Sequence, residues 1–266
     1  MPHSLHLTSR GTGQPVVLLH SGGMSSRQWK HLGGMLSASY RVVTPDFLGS
    51  GESPPWTDAE PFDFSLDVDA AFEVIASLGE AVHLVGHSYG GFVALMLARR
   101  APQSIRSLTL YDPVAFGVLY GADDAEGLAD LSRAADNPVF TDPATGGGDG
   151  WLEAFVDYWN GSGTWRAMPA PARDAFLRVG RKVFYEVTSL MQDRTPASAY
   201  GEIDAPVLLL SGEKSPPAAR RVTAVLAPVL RHARTLTIEG AGHMGPITHA
   251  AIVDAAIAEH IAVTSS

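Results

Sequence analysis

The chain of 266 residues contains no cysteine. This absence excludes disulfide bonds, thiolate metal ligands and a cysteine nucleophile. Positive charge is also scarce, because 19 Lys and Arg residues stand against 28 Asp and Glu residues, a net charge of −9. Nucleic acids and anionic membranes are bound mainly through clusters of Lys and Arg. We therefore expect neither of them as a partner.

Long apolar runs and targeting signals are missing as well. No stretch approaches the roughly 18 apolar residues that a membrane-spanning helix needs, and residues 1–6 lack the basic start of a signal peptide. These features favour a cytoplasmic location. There is no His-Glu-x-x-His pattern and no glycine loop followed by Lys, so we expect no metal and no cofactor.

The sequence does contain predicted strands that alternate with predicted helices, as in an α/β protein. Six short, continuously apolar segments have the length of buried strands, and segments with helical periodicity separate most of them. The predicted strands cover residues 15–20, 40–44, 82–86, 107–111, 206–210 and 235–238. This order predicts a mainly parallel sheet with helices on both faces. Between residues 113 and 204 no strand is evident, which indicates a helical insertion.

One strand leads into a sharp turn that carries a serine. Residues 86–90 read Gly-His-Ser-Tyr-Gly between the strand at 82–86 and a helical segment. The glycines are needed because side chains two positions either side of Ser88 would collide in so tight a turn. Such a turn lifts the Ser88 hydroxyl to the carboxyl end of the sheet, where open α/β folds bind ligands.

Three further motifs follow other strands: HSGGM at 20–24, DFLGSGES at 46–53 and GAGH at 240–243. Together with the serine turn, this set resembles the α/β-hydrolase fold family of serine hydrolases over residues 20–114 and 205–262. The resemblance implies a core domain of residues 1–113 and 205–266. It also implies a helical cap of residues 114–204, inserted after the sixth strand.

A serine hydroxyl is a weak nucleophile until a base takes its proton, and a neutral imidazole can do so near pH 7. The resemblance places this base at His243, which follows the last predicted strand. It assigns the backbone donors of the oxyanion hole to Tyr89 and to the loop after His20. In that loop we expect Gly22, with Gly23 as the alternative.

The third catalytic group must be a carboxylate that orients the imidazole. Its usual slot in the family, Gly-x-x-Asp, reads Gly212-Glu213-Lys214-Ser215 here, and a hydroxyl cannot supply the charge. Asp112 ends the preceding predicted strand, a position that some haloalkane dehalogenases use. We expect Asp112 as the acid, with Glu213 as the alternative.

The insertion begins just after Asp112 and is rich in aromatic residues, so we expect it to roof Ser88 with an apolar surface. Candidate substrate-binding residues are Trp151, Trp159 and Met244. The predicted function is a serine hydrolase that cleaves a carboxylic ester or lactone of a small apolar or aromatic substrate.

Other functions remain open on the same residues. They are a carbon–carbon bond hydrolase, a perhydrolase or cofactor-free lyase, and a small-molecule receptor with slow turnover. Carbon–carbon hydrolases of this fold usually carry Gly-x-Gly-Pro-Gly in the oxyanion loop, which residues 22–25 (GGMS) lack. Epoxide hydrolases and dehalogenases need Asp where Ser88 stands. We expect a monomer or a homodimer that takes a small-molecule substrate.

Overall fold

A computed structural model describes residues 4–56 and 62–265, and in them a seven-stranded sheet in the order β1-β3-β2-β4-β5-β6-β7. The strands are β1 (Leu7–Arg10), β2 (Pro15–Leu19), β3 (Arg41–Pro45), β4 (Val82–His87), β5 (Ile105–Tyr111), β6 (Val207–Gly212) and β7 (Ala233–Ile238). All six predicted strands are confirmed and run parallel to one another. The remaining strand, β1, is antiparallel to β3 at the edge. It is mostly exposed, so it has no apolar run that the sequence could reveal.

Helices cover both faces of this sheet, as predicted. Within the described residues they are α1 (Lys30–Leu36), α2 (Phe64–Ser77), α3 (Tyr89–Arg100), α4 (Gly117–Gly121), α5 (Ala125–Ala135), α6 (Pro138–Thr141), α7 (Asp149–Asn160), α8 (Thr164–Ala167), α9 (Ala170–Gln192), α10 (Pro217–Leu226), α11 (Gly245–Thr248) and α12 (Ala250–Thr264). Helices α1 and α12 share one apolar cluster with the sheet, and α2, α3 and α10 share the other.

The two clusters divide each central strand between them. In β2, Val16 and Leu18 face α1 and α12, whereas Val17 and Leu19 face the opposite side. Successive strand side chains point to opposite faces, so a strand covered on both sides must be apolar at every position. This explains why the strands could be recognised as short continuous apolar runs.

The insertion, residues 114–204, contains α4 to α9 and lies between β5 and β6. The expectation that it follows a sixth strand is wrong for the described sheet. Only one strand, β1, precedes β2, so β5 is the fifth strand and the insertion follows it. The insertion has a small apolar core of its own, built on α7, α8 and α9. That core contains Trp151, Leu152, Val156, Trp165, Val183 and Phe184.

The turn between β4 and α3 is the most constrained backbone near the sheet edge. Ser88 has φ 54° and ψ −118°, a conformation that a residue with a side chain rarely adopts. A Cβ on Gly86 would lie 2.3 Å from the carbonyl oxygen of Gly90. A Cβ on Gly90 would lie 2.5 Å from the carbonyl oxygens of both Leu19 and His20. Both glycines are therefore required by contacts with backbone.

This packing predicts a large difference between two glycine substitutions. Gly90→Ala should lower the free energy of unfolding by about 3 kcal/mol, since the new methyl group meets backbone that cannot move aside. Gly34→Ala, at an exposed position of α1 with no atom within 4 Å of the new Cβ, should raise it by about 0.5 kcal/mol. Urea unfolding followed by circular dichroism measures both. Equal stability of the two variants would contradict the close approach at Gly90.

Candidate active site

The imidazole of His243 lies between Ser88 and Asp112, at the carboxyl end of the sheet. Its Nε2 atom is 2.9 Å from Ser88 Oγ, and its Nδ1 atom is 3.1 Å from Asp112 Oδ2. A carboxylate only accepts hydrogen bonds, so we assign the ring proton to Nδ1. Nε2 then carries the lone pair that faces the serine hydroxyl. The structure thus brings together three residues that lie far apart in the sequence.

The sheet register positions Ser88 and Asp112. The Ser88 amide donates to the carbonyl of Tyr111 at 3.0 Å, and the Asp112 amide donates to the carbonyl of Leu210 at 2.9 Å. These bonds continue the parallel ladders β4–β5 and β5–β6 one residue beyond the strands. Asp112 has φ 43°, in the left-handed region that Asp tolerates better than most residues. The ends of neighbouring strands therefore deliver the hydroxyl and the carboxylate to one place.

Several hydrogen bonds fix the loop that carries His243. The Tyr111 hydroxyl donates to the carbonyl of Gly242 at 2.8 Å, and His87 Nε2 donates to the carbonyl of His243 at 2.8 Å. Glu213 Oε2 accepts the amide of Gly240 at 2.8 Å. His87 thus has the structural role that its place inside the turn suggests.

The two candidate acids have different partners. Asp112 lies against the imidazole, whereas Glu213 holds the Gly240 amide and is exposed. Ser215 stands where the family usually has its acid, and its Oγ atom donates a hydrogen bond to Asp112 Oδ2 at 2.5 Å. The residue in the usual place of the acid therefore supports the carboxylate on the neighbouring strand. Of the two candidates, the structure brings only Asp112 to His243.

Burial determines the protonation of this group of residues. It lowers the pKa of His243 below its ordinary value of 6.5, so the ring is neutral and able to accept a proton. Burial also raises the pKa of Asp112, and the Ser215 hydroxyl, the Gly212 amide and the charge of Arg220 oppose that rise. The hydrogen bond from Ser215 thus favours the ionised form of Asp112, against the effect of burial, which raises this pKa from 3.8 to about 8.

Gly22 and Tyr89 lie side by side next to Ser88, as the oxyanion assignment requires. A Cβ on Gly22 would be 3.8 Å from the Cβ of Tyr89, and both residues line the same cavity as Ser88. Tyr89 is the first residue of α3, where an amide has no acceptor inside the helix. Gly23, the alternative donor, has φ 74°, a backbone conformation that favours glycine. The two residues that the sequence analysis names as oxyanion donors therefore lie next to each other on the same cavity as Ser88.

A hydrogen-bonded chain links the oxyanion loop to the histidine loop. Gln28 Oε1 accepts from the amide and the hydroxyl of Ser21 at 3.0 and 3.1 Å. Gln28 Nε2 donates to His87 Nδ1 at 3.0 Å, and His87 holds the carbonyl of His243. The loops that carry Gly22 and His243 are therefore mutually positioned through a glutamine that no motif marks.

A cavity of about 460 Å³ adjoins Ser88 and is lined mainly by apolar side chains, many of them from the insertion. Trp159 lines it and stacks on the His243 ring, with the ring centroids 3.9 Å apart. Trp151 is not among the lining residues, because it is stacked behind Phe155 in the core of the insertion. Met244 does not line the cavity either. Of the three candidate substrate contacts, only Trp159 reaches the cavity.

Sequence reasoning missed a buried ionic cluster beside the cavity. Lys182 Nζ lies 2.7 Å from Asp67 Oδ2 and also donates to Glu186 Oε1. The Tyr89 hydroxyl donates to the same Asp67 oxygen at 2.8 Å. Lys182 and Glu186 belong to α9, one helical turn apart. Such a pair usually indicates a solvated helix face, so no signal in the sequence could have placed it inside the protein.

Two structural findings bear on other classes of protein. In residues 4–56 and 62–265, no group of three or more His, Asp or Glu side chains is arranged to hold a metal ion. In the same residues, no helix has both the length and the apolar character that crossing a bilayer would require.

A serine hydroxyl, a neutral imidazole and a buried carboxyl group, hydrogen-bonded in that order at the carboxyl edge of a parallel sheet, form the arrangement typical of serine hydrolases with an α/β fold. Comparison with known proteins agrees with this class. Residues 16–256 match the model of the alpha/beta hydrolase family. The chain belongs to that family and is a hydrolase.

The individual proteins that this chain resembles share about a quarter to a third of its residues over the matched segments. The chain is 26% identical to (E)-2-((N-methylformamido)methylene)succinate hydrolase of Acinetobacter baylyi, over 91% of this chain and 88% of that protein. It is 34% identical to 2-hydroxymuconate semialdehyde hydrolase of a Pseudomonas species, over 49% of this chain and 50% of that protein. Among solved structures, a thermophilic esterase from Thermogutta terrifontis superposes with a TM-score of 0.75 at 23% identity, covering 98% of this chain and 94% of the esterase.

The burial of His243 predicts its titration. Its ring should keep the nitrogen chemical shifts of the neutral, Nδ1-protonated form as the pH is lowered to about 5, whereas a free imidazole is half protonated near pH 6.5. Nitrogen–proton correlation spectra of labelled protein, assigned with a His243→Gln variant, measure this. A midpoint at or above 6.5 would show that the ring is not desolvated as described.

Proposed function

We propose that this hydrolase cleaves a carboxylic ester or lactone of a small apolar or aromatic compound through an acyl-enzyme on Ser88. The observation that carries the proposal is the continuous contact from Ser88 Oγ through the imidazole of His243 to Asp112 Oδ2. Such a relay converts a weak hydroxyl into a nucleophile at neutral pH.

In the first half-reaction, Ser88 Oγ attacks the carbonyl carbon while Nε2 of His243 takes the hydroxyl proton. The carbonyl oxygen becomes an oxyanion, which the amides of Gly22 and Tyr89 stabilise by hydrogen bonds. Collapse of this intermediate breaks the carbon–oxygen bond of the ester. Nε2 returns the proton to the departing alkoxide, and the acyl group remains on Ser88.

Water completes the cycle by the same steps in reverse order. Nε2 accepts a proton from a water molecule that attacks the acyl-enzyme, and the second oxyanion occupies the same pair of amides. Collapse breaks the bond to Ser88 Oγ, which regains its proton from His243. In both halves Asp112 keeps Nδ1 protonated and stabilises the imidazolium that forms.

The cavity supports the substrate class. About 460 Å³ is room for a small molecule rather than a polymer, and its wall is largely apolar. Much of this wall comes from residues 114–204, and Trp159 of this segment stacks on His243. We therefore propose that the insertion acts as a cap over Ser88.

Hydrolysis of a carbon–carbon bond on the same residues is the second candidate. It is favoured by the similarity to 2-hydroxymuconate semialdehyde hydrolase, which covers half of each chain. The oxyanion loop GGMS departs from the Gly-x-Gly-Pro-Gly pattern expected for that chemistry. If the enzyme releases p-nitrophenol from simple esters much faster than it cleaves the carbon–carbon bond of vinylogous diketones, ester hydrolysis is the correct assignment.

The assignment of the acid makes a specific prediction. Asp112→Asn should lower kcat for p-nitrophenyl esters by about 10³- to 10⁴-fold, because a neutral amide stabilises neither the required tautomer nor the imidazolium. Glu213→Gln should stay within about threefold of the parent enzyme, because an amide oxygen still accepts the Gly240 amide. Steady-state kinetics on both variants, with Ser88→Ala as the blank, make the measurement.

A second substitution tests the location of the charge. Ser215 Oγ is 2.5 Å from Asp112 Oδ2, so a carboxylate introduced as Ser215→Asp would lie close to Nδ1 of His243. Adding it to Asp112→Asn should recover at least about tenfold of the lost kcat. An Asp112→Asn enzyme with nearly full turnover, or a Glu213→Gln enzyme without any, would refute the assignment.

The cap proposal is tested at a cavity residue that does not touch the catalytic histidine. Phe155→Ala should raise KM for p-nitrophenyl phenylacetate by about tenfold and KM for p-nitrophenyl acetate far less, since the small acyl group does not fill the cavity. The matched control is Leu177→Ala, which removes an exposed apolar side chain of α9 outside the cavity. Equal changes of KM for both esters would place the acyl group elsewhere.

A further inference from the structure

Among the described residues that line the cavity, only Glu186 carries a carboxyl group, and the proposed reaction leaves it unused. The residue lines the cavity together with Ser88, Gly22 and Tyr89, and it is only 2% exposed. A largely apolar wall does not require a carboxyl group for its packing. Its presence there calls for a function.

The two oxygens of Glu186 have different surroundings. Oε1 accepts a hydrogen bond from Lys182 Nζ, behind the cavity wall. Oε2 has no hydrogen-bond donor among the described residues, and it faces the oxyanion loop. An ideal Cβ on Gly22 would lie 2.7 Å from this oxygen. This oxygen thus borders the cavity beside the proposed oxyanion hole, with no donor among the described residues.

Leaving such an oxygen unpaired costs free energy, so a buried carboxylate normally has partners for both oxygens. The cluster around it is otherwise complete: Lys182 is bound by Asp67 and Glu186, and Asp67 also accepts the Tyr89 hydroxyl and the amide of Leu48. A molecule that enters the cavity can supply a hydrogen bond to Oε2.

We propose that Glu186 recognises a hydroxyl group of the substrate, carried on one of the first carbons next to the reacting carbonyl. This inference rests on the proposed ester hydrolysis at Ser88 and narrows its substrate class to hydroxylated esters or lactones. The position follows from Gly22, because the carbonyl oxygen would bind at its amide while Oε2 lies against the same residue.

The choice of a hydroxyl follows from the two protonation states of the carboxyl group. Burial raises the pKa of Glu186 from 4.5 to about 7; the Lys182 ammonium opposes this rise and the Asp67 carboxylate adds to it. Both forms are therefore populated near neutral pH. When ionised, Oε2 accepts a hydrogen bond. When protonated, it carries the proton, because Oε1 already faces the ammonium. A hydroxyl group both donates and accepts, so it pairs with either form.

Pairs of esters that differ by one hydroxyl group test the proposal. They are methyl mandelate against methyl phenylacetate, and methyl 3-hydroxy-3-phenylpropanoate against methyl 3-phenylpropanoate, with each enantiomer measured separately. In at least one pair the parent enzyme should show a kcat/KM about tenfold or more higher for the hydroxylated ester. The ratio within a pair is the measured quantity, so a general loss of activity cancels.

Substitutions then assign the preference to one side chain. Glu186→Leu should abolish it and leave Lys182 paired with Asp67. Glu186→Gln should retain a large part of it, because an amide also donates and accepts. The matched control is Glu153→Gln, which removes a carboxylate of the insertion that is paired with Arg166 outside the cavity. This variant should keep the parent ratio.

The outcomes separate the two proposals. The inference is overturned if the parent enzyme shows no preference in either pair, or if Glu186→Leu keeps the parent ratio. It stays distinct from the proposed function, which is measured by hydrolysis of the unsubstituted esters and by fluorophosphonate labelling of Ser88. Turnover and labelling without a hydroxyl preference would refute the role of Glu186 alone. The absence of both turnover and labelling would refute the proposed ester hydrolysis at Ser88.

Discussion

The close approach of three backbone segments at the serine turn is the constraint on which the site depends. Gly90 packs beneath the carbonyl groups of Leu19 and His20, and Gly86 packs against Gly90. This contact holds Ser88 in a strained conformation, which costs about 1–3 kcal/mol and persists because buried strands surround it. The same contact brings the loop after β2 next to the start of α3. The orientation of the Ser88 hydroxyl and the placement of the loop at Gly22 beside Tyr89 therefore have one common cause.

The carboxyl group beside the histidine can come from the end of either of two neighbouring strands. Neighbouring parallel strands lie about 4.8 Å apart, so the ends of β5 and β6 are both within reach of one imidazole. In this chain Asp112 supplies the carboxylate from β5, and Ser215, after β6, donates a hydrogen bond to it. The hydroxyl supports the ionised form of a carboxylate whose burial favours protonation. The family pattern is altered in sequence while a carboxylate remains at Nδ1.

Electrostatics also connect the insertion with the core. Lys182 reaches from α9 to Asp67 on α2, and the hydroxyl of Tyr89 shares that carboxylate. Buried charges are costly unless each is paired and hydrogen-bonded, so the cluster favours one docking of α9 over the sheet edge. Because Tyr89 also supplies a backbone amide beside Ser88, the position of the insertion and the shape of the site are linked through one residue.

The sequence by itself determined the strands, the serine turn at Ser88 and the late histidine, because these depend on local rules: continuous apolar runs for buried strands and glycines where no side chain fits. It missed the exposed strand β1, and it favoured Asp112 as the acid while keeping Glu213 as an alternative. That choice depends on strand register, which only the tertiary structure fixes. The same holds for Trp151 and Trp159, which share α7 but face the core of the insertion and the cavity respectively. The side of a helix that meets a cavity, and the burial of the Lys182–Glu186 pair, follow from packing between distant segments, on which local sequence has no bearing.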